Sequence, residues 1–245
     1  PYNKRNKLFP FSHSTHLNDI QLEHQEIQLD APLLLSPKQF PSHYYDPSGK
    51  LMLKNLTRAQ LEEWCASIPD ERPPAKRAMQ LWRWMYYDRM WIRDLDDAPA
   101  DIAQNGFSQR FRDRVRNIAS IDGGLHLEDM HIAGDGTRKL IFRLTAGPAR
   151  GSQTETVVIP IVRESGSKAR VTLCVSSQVG FAMGCTFCYT GRMGLLGSLT
   201  PAQIVEQVVI SRRLLFEEDV ANGILPVRHI TPITNIVYMG QGEPM

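Results

Sequence analysis

The spacing of apolar and polar positions divides the chain into three stretches of different character. Residues 1 to about 52 hold no sustained period and are rich in His, Pro, Ser and Asn, which predicts an extension without stable structure. From Leu53 to about Ile121 the period is helical. "TRAQLEEWCASI" opens on a capping residue, Thr57, and sets Leu61, Trp64 and Cys65 on one face, so Cys65 reads as a small core residue. "AKRAMQLWRWMYYDRMW" places Met79, Trp82 and Tyr86 on one stripe. "FSQRFRDRVRNI" does the same with Phe107, Phe111, Val115 and Ile118, and fans Arg110, Arg112, Arg114 and Arg116 over the remainder.

Past Gly123 the period becomes that of strands. "RKLIFRL", "ETVVIPIV" and "RVTLCVSS" are short β-branched runs separated by turns that contain Gly, Ser and Pro. "LTPAQIVEQVVISRRLLFEE" is a helix, with Thr200 and Gln203 at capping-box spacing and Pro201 at the first helical position. It turns Ile204, Val208 and Leu215 toward a sheet. "TNIVYMG" is a nearly all-apolar strand, as expected of one covered on both faces. The order strand, cysteine loop, helix, strand, glycine loop predicts parallel neighbours with a right-handed connection. The loops after both strands then open on one edge of the sheet, where α/β proteins place ligands and chemistry. There "GQGEP" supplies small residues for close backbone approach and one carboxylate, Glu243, suited to a cationic amino group.

Composition narrows this little. The chain has 245 residues, 42% hydrophobic and 22% charged, which fits one or two globular domains. A net charge of +2 specifies no partner, so any basic surface is local. A basic helix beside an aromatic-rich one suits a phosphate-binding surface, and equally a small helical core with a solvated face. No apolar run approaches the roughly 18 residues that span a bilayer, so no membrane segment is read. His13, His16, His24 and His43 are irregularly spaced and read as solvated residues rather than metal ligands. Asp19, Glu23 and Glu26 argue against a transit peptide, which is poor in acid. A start at Pro1 and a close at "YMGQGEPM", just past a strand end, read as a fragment.

Three of the four cysteines fall in "LCVSSQVGFAMGCTFCYTGRMG", Leu173 to Gly194. Four cysteines in a chain of this length make no disulfide framework, and the pair Cys185 and Cys188 points to metal or redox chemistry. As thiolates the two could ligate an iron–sulfur cluster. They could be half a zinc site, although no second CxxC or CxxH pair completes a tetrahedron. They could be a dithiol pair, although the glycine-rich "TGRMG" follows where a helix usually would. Spacing leaves all three open. Where a third closely spaced thiolate would be expected, four residues before Cys185, stands Phe181.

The wider string, "CVSSQVG–AM–CTFCYTGRMG", then "LTPAQIVEQV", then "PITNIVYMGQGEP", resembles the radical S-adenosylmethionine (radical SAM) RNA methyltransferases that modify carbon 2 of adenosine in large-subunit rRNA and tRNA. "DGTRKLIFRL" and "TETVVIP" share the likeness, which covers about residues 53–245. The resemblance implies an α/β fold, the N-terminal part of a radical SAM partial (β/α) barrel over 122–245, preceded by a small helical accessory domain over 53–121 that helps bind RNA. It implies a [4Fe–4S] cluster held by CxxxCxxC, whose second and third thiolates match Cys185 and Cys188 and whose first falls on Phe181. Phe187 matches the residue near the adenine of S-adenosylmethionine, and Gly242 and Glu243 match positions at its amino acid end. Glu155 resembles the proton acceptor at the RNA base. Cys174 matches the thiol that attacks a methylated cysteine and releases product through a transient disulfide; that methyl carrier has no counterpart in this chain. Further implied are an electron donor such as flavodoxin or ferredoxin, a monomer, and a cytoplasmic site of action, or a chloroplast or mitochondrion.

Overall fold

A computed structural model describes residues 40–70, 72–86, 94–96, 106–161, 170–182, 192, 194–223 and 233–243. Two apolar clusters organise them. The first runs from Phe40 to Ile121 and holds helices α1 (Arg58–Ala66), α2 (Pro74–Tyr86) and α3 (Gln109–Ile118). Thr57 caps α1 in both directions: its hydroxyl accepts the Gln60 N–H, and Gln60 Oε1 accepts the Thr57 N–H at 2.9 Å. Leu61, Trp64 and Cys65 are buried together, and burial pushes the Cys65 thiol up to about 12, a core thiol with no role as nucleophile or ligand. Structure begins before the expected boundary at residue 52. Phe40, Leu51 and Met52 are buried, and β1 (Leu51–Met52) pairs in parallel with β2 (Ala119–Ser120). His43 is exposed; His13, His16 and His24 lie outside the described residues.

The buried stripe of α2 differs from the one its aromatics predicted. Arg77, Ala78, Leu81, Trp84 and Met85 face the core, Trp82 and Tyr86 flank it, and Met79 is exposed. The reason is Arg77, a cation occupying a core position. Its guanidinium donates two hydrogen bonds to the Asp70 carboxylate and lies 4.1 Å over the Phe111 ring, so charge and planar face are both matched.

The second cluster joins a sheet to one long helix. Strands β3 (Leu125–Ile132), β4 (Arg138–Leu144), β5 (Gln153–Ile161) and β6 (Arg170–Cys174) run antiparallel in sequence order. A two-residue ladder follows, β7 (Gln178–Val179) on β8 (Gly197–Ser198), and then α4 (Pro201–Ala221). The chain returns as β9 (Ile233–Val237), parallel to β6 as its crossover requires, giving the order β3-β4-β5-β6-β9. Leu140, Phe142, Leu144, Val158 and Leu173 share one core with Ile210 and Leu215 of α4. Ile204 and Val208 pack on its margin, whereas Gln203, Glu206 and Gln207 are fully enclosed. Arg138 holds the far end of α4 through a forked contact to Glu218, at 3.0 and 2.6 Å.

β9 corrects the expectation of a strand covered on both faces. Thr234, Asn235 and Ile236 are exposed, because β9 is the outer strand among the described residues and only β6 pairs with it. Among the described residues no helix is long and apolar enough to cross a membrane.

Candidate functional site

Alternation along β5 buries Thr154, Thr156 and Val158 and leaves Glu155 and Val157 half-exposed on the other face. Cys174 is the register partner of Val157. Glu155 and Cys174 are therefore diagonal neighbours on one face, a relation that sets Cα atoms roughly 7–8 Å apart. Lys139 stands on the same face, its Nζ 3.4 Å from Glu155 Oε1. Cys174 is half-buried, which raises its thiol, and the backbone N–H of Met239 offsets part of that rise.

The glycine loop closes onto the start of the cysteine loop, so the two distant segments do meet at one sheet edge. The Gly240 N–H donates to the Val175 carbonyl at 3.1 Å and the Gln241 N–H to Ser176 Oγ at 2.8 Å. The Gln241 carbonyl accepts the N–H groups of Ser177 and Gln178, and the Glu243 N–H donates to Gln178 Oε1 at 3.0 Å. Both glycines are required by this contact with the chain itself. A Cβ on Gly240 would lie 2.6 Å from Ser176 Oγ; one on Gly242, whose φ is +106°, would lie 2.7 Å from the Gln178 nitrogen. Glu243 is exposed beside them.

The β7–β8 ladder pins both ends of the excursion that carries the CxxC pair. Cys185, Phe187 and Cys188 lie outside the described residues. Phe181 is described, half-buried at the departure from β7, and its ring offers no donor atom. Cys174 sits in the β5–β6–β9 ladder, and among the described residues no three His, Cys, Asp or Glu side chains gather. With Phe181 four before Cys185, the sequence holds two of the three closely spaced thiolates that such a cluster takes, and so does not fit it. Beside Gly242 and Glu243, Gln241 Oε1 is buried and has no hydrogen-bond partner among the described residues, an acceptor open to an ammonium donor.

The basic helix splits. Arg112 donates to the Phe107 carbonyl and Arg114 to that of Pro69, while Arg112 and Arg116 both reach Asp96. Arg110 is exposed and has no partner among the described residues.

Sequence reading missed the group that joins these pieces. Ser176 Oγ donates to the Glu155 carbonyl at 2.6 Å while accepting the Gln241 N–H. Gln207, from α4, accepts from Thr156 Oγ1 and the Ser176 N–H and donates to the Ser176 carbonyl at 2.9 Å. The available signal was a pair of glutamines four apart on the inward face of α4, beside Val209, Ile210 and Leu215.

No family model matches the chain. It is 36% identical over 196 residues to the dual-specificity RNA methyltransferase RlmN of Geotalea uraniireducens, covering 80% of this chain and 46% of that protein. To the RlmN of Desulfotalea psychrophila it is 37% identical over 203 residues, covering 80% and 47%. A solved radical SAM methyltransferase from Sphaerobacter thermophilus matches with a TM-score of 0.58 and 34% identity, over 78% of this chain and 47% of that one. The chain spans about half the length of the curated relatives it matches. With a third or more of its residues identical across four-fifths of its length, and with the α/β architecture of a solved radical SAM methyltransferase, the chain belongs to the RlmN family of dual-specificity RNA methyltransferases.

Proposed function

We propose that the reaction this chain serves is methylation of carbon 2 of an adenosine in large-subunit rRNA, and in tRNA, by radical S-adenosylmethionine chemistry through a methyl-cysteine, with this stretch of chain inactive by itself. The observation that supports this most is the shared face of Glu155 and Cys174, with the glycine loop closed over the end of the same strand. A cluster completed by a thiolate at position 181 would, with S-adenosylmethionine, supply the radical and the methyl group, with flavodoxin or ferredoxin as electron donor and the protein as a monomer. Glu155 accepts the proton released at carbon 2. Cys174 acts as the thiol nucleophile that frees the product. Gln241, Gly242 and Glu243 receive the cofactor's amino acid end. A Phe181→Cys protein, extended by the segment its relatives carry beyond the matched stretch and reconstituted, is expected to form 2-methyladenosine in rRNA, read by mass spectrometry of its nucleosides. Absence of that nucleoside from an extended, cluster-loaded protein would refute the reading.

Phe181 supports a second reading of the chain as written: it holds no stable cluster and serves as an RNA-binding remnant. RNA contact then rests on the helical cluster, and Arg110 carries it most directly because its exposed guanidinium has no partner among the described residues. Arg110→Glu should weaken RNA affinity and lower the salt slope by about one, with the melting temperature unchanged. Substituting Arg112, Arg114 or Arg116 should lower stability as well, since each holds a protein acceptor. An unchanged affinity in Arg110→Glu would return that arginine to the solvated face.

A further inference from the structure

We propose that Ser176, braced by Gln207, is a positioning residue that locks the glycine loop and the Glu155 backbone together, so that carboxylate, thiol and cofactor-facing loop hold one arrangement. What the three groups do rests on the methyltransferase reading; that they are tied does not. Ser176 is fully buried, and its hydroxyl is the only described side-chain oxygen that touches both segments. It donates its one proton to the Glu155 carbonyl and spends a lone pair on the Gln241 N–H, so both of its capacities serve the junction.

Gln207 fixes where that hydroxyl sits. Its amide brackets the Ser176 backbone, accepting from the N–H at 2.9 Å and donating to the carbonyl at 2.9 Å. The remaining valence of Gln207 Oε1 is filled by Thr156, next to Glu155 on β5. A closed set of buried donors and acceptors has one low-energy arrangement, because any rotation leaves a polar group unpaired. Two residues before the hub is Cys174, whose thiol faces the N–H of Met239, the second residue before Gln241. Loss of the hub should therefore be felt at the thiol.

The test compares Ser176→Ala with Ser211→Ala, a second buried hydroxyl, which among the described residues bonds the Gln207 carbonyl at 2.7 Å and neither the glycine loop nor the end of β6. Amide exchange at Gln241 and iodoacetamide alkylation at Cys174 are read by mass spectrometry across pH 7 to 10, with buried Cys65 as internal reference. In Ser176→Ala, Gln241 exchange should rise roughly tenfold, the loss of one hydrogen bond. Cys174 should alkylate several-fold faster across this range as the glycine loop loosens over it. Ser211→Ala should change neither rate. Equal effects of the two variants, or rates within twofold of the parent in Ser176→Ala, would overturn the proposal. Should Ser176→Ala not fold, exchange in the parent decides. Protection of Gln241 equal to that of Val175, whose N–H donates to the Val237 carbonyl, supports the lock, and exchange like a free loop amide defeats it. Failure of the protein to bind S-adenosylhomocysteine with these rates as expected would remove the methyltransferase reading and leave the lock standing.

Discussion

Phe181→Cys is expected to take the chain from no stably bound iron to about four irons per chain after anaerobic reconstitution with iron and sulfide. The argument is one of donors. Cys185 and Cys188 supply two thiolates, and the residue four before Cys185 is a phenylalanine, which has none to give. Cys174 is a poor substitute. It stands eleven positions before Cys185, held in a strand paired on both sides, with its thiol directed at the Met239 amide. Phe181 itself sits at the departure from β7, half-buried, where a shorter side chain meets no obstacle from burial. Phe181→Ser is the control: it removes the ring without adding a thiol and should stay colourless. Brown absorption and near-stoichiometric iron in the unaltered chain would show that another donor completes the set.

Lys54→Met should cost about 3–5 kcal/mol of stability, on the order of 10 °C in melting temperature for a chain of this size. Lys54 and Glu206 form an ion pair at 2.5 Å with side chains only 4% and 7% exposed. Lys54 belongs to the helical cluster and Glu206 to α4, so the pair bonds the first cluster to the helix that backs the sheet. It floors a cavity of about 360 Å³ that His126 and Arg213 also line. Removing the ammonium leaves the buried Glu206 carboxylate without its cation, and that side chain packs directly against Gly123. A Cβ there would already lie 2.6 Å from Glu206 Oε2. The double variant Lys54→Met, Glu206→Leu should regain most of the loss, because an apolar pair of similar volume needs no solvation. Thermal unfolding of the two variants side by side checks both statements; a double variant no better than the single would mean that packing, not charge, sets the cost.

Much of the architecture could be read before the fold was known, and the failures share a cause. The cap at Thr57 and the capping box at Thr200 marked helix starts because they are local devices, complete within four residues. The parallel pairing of β6 with β9 followed from chain order and handedness. β3 went unread because its exposed Glu128, Asp129 and His131 carry no apolar alternation. Arg77 and Gln207 broke the rule that polar residues face water, and in each case the exception is settled by a distant partner: Asp70 with Phe111, or the backbone of Ser176. The site was legible as residues and not as connections. Glu155 and Cys174 came from resemblance, whereas the hydroxyl between their strands and the glycine loop has no signature in a lone serine.

The inward face of α4 has a mechanical consequence. A helix seated on a sheet by aliphatic side chains alone can roll by tens of degrees at little expense, since contacts of that kind have no direction. Here Gln203 reaches the Gly124 and Ala146 carbonyls, Glu206 meets Lys54, and Gln207 brackets Ser176, three successive anchors on neighbouring turns. Each fits at one rotation of the cylinder and none at the next. The helix is thus keyed like a shaft in a slot, and the torsional stiffness that results is delivered to whatever its first turn abuts, which is the strand closing the cysteine loop.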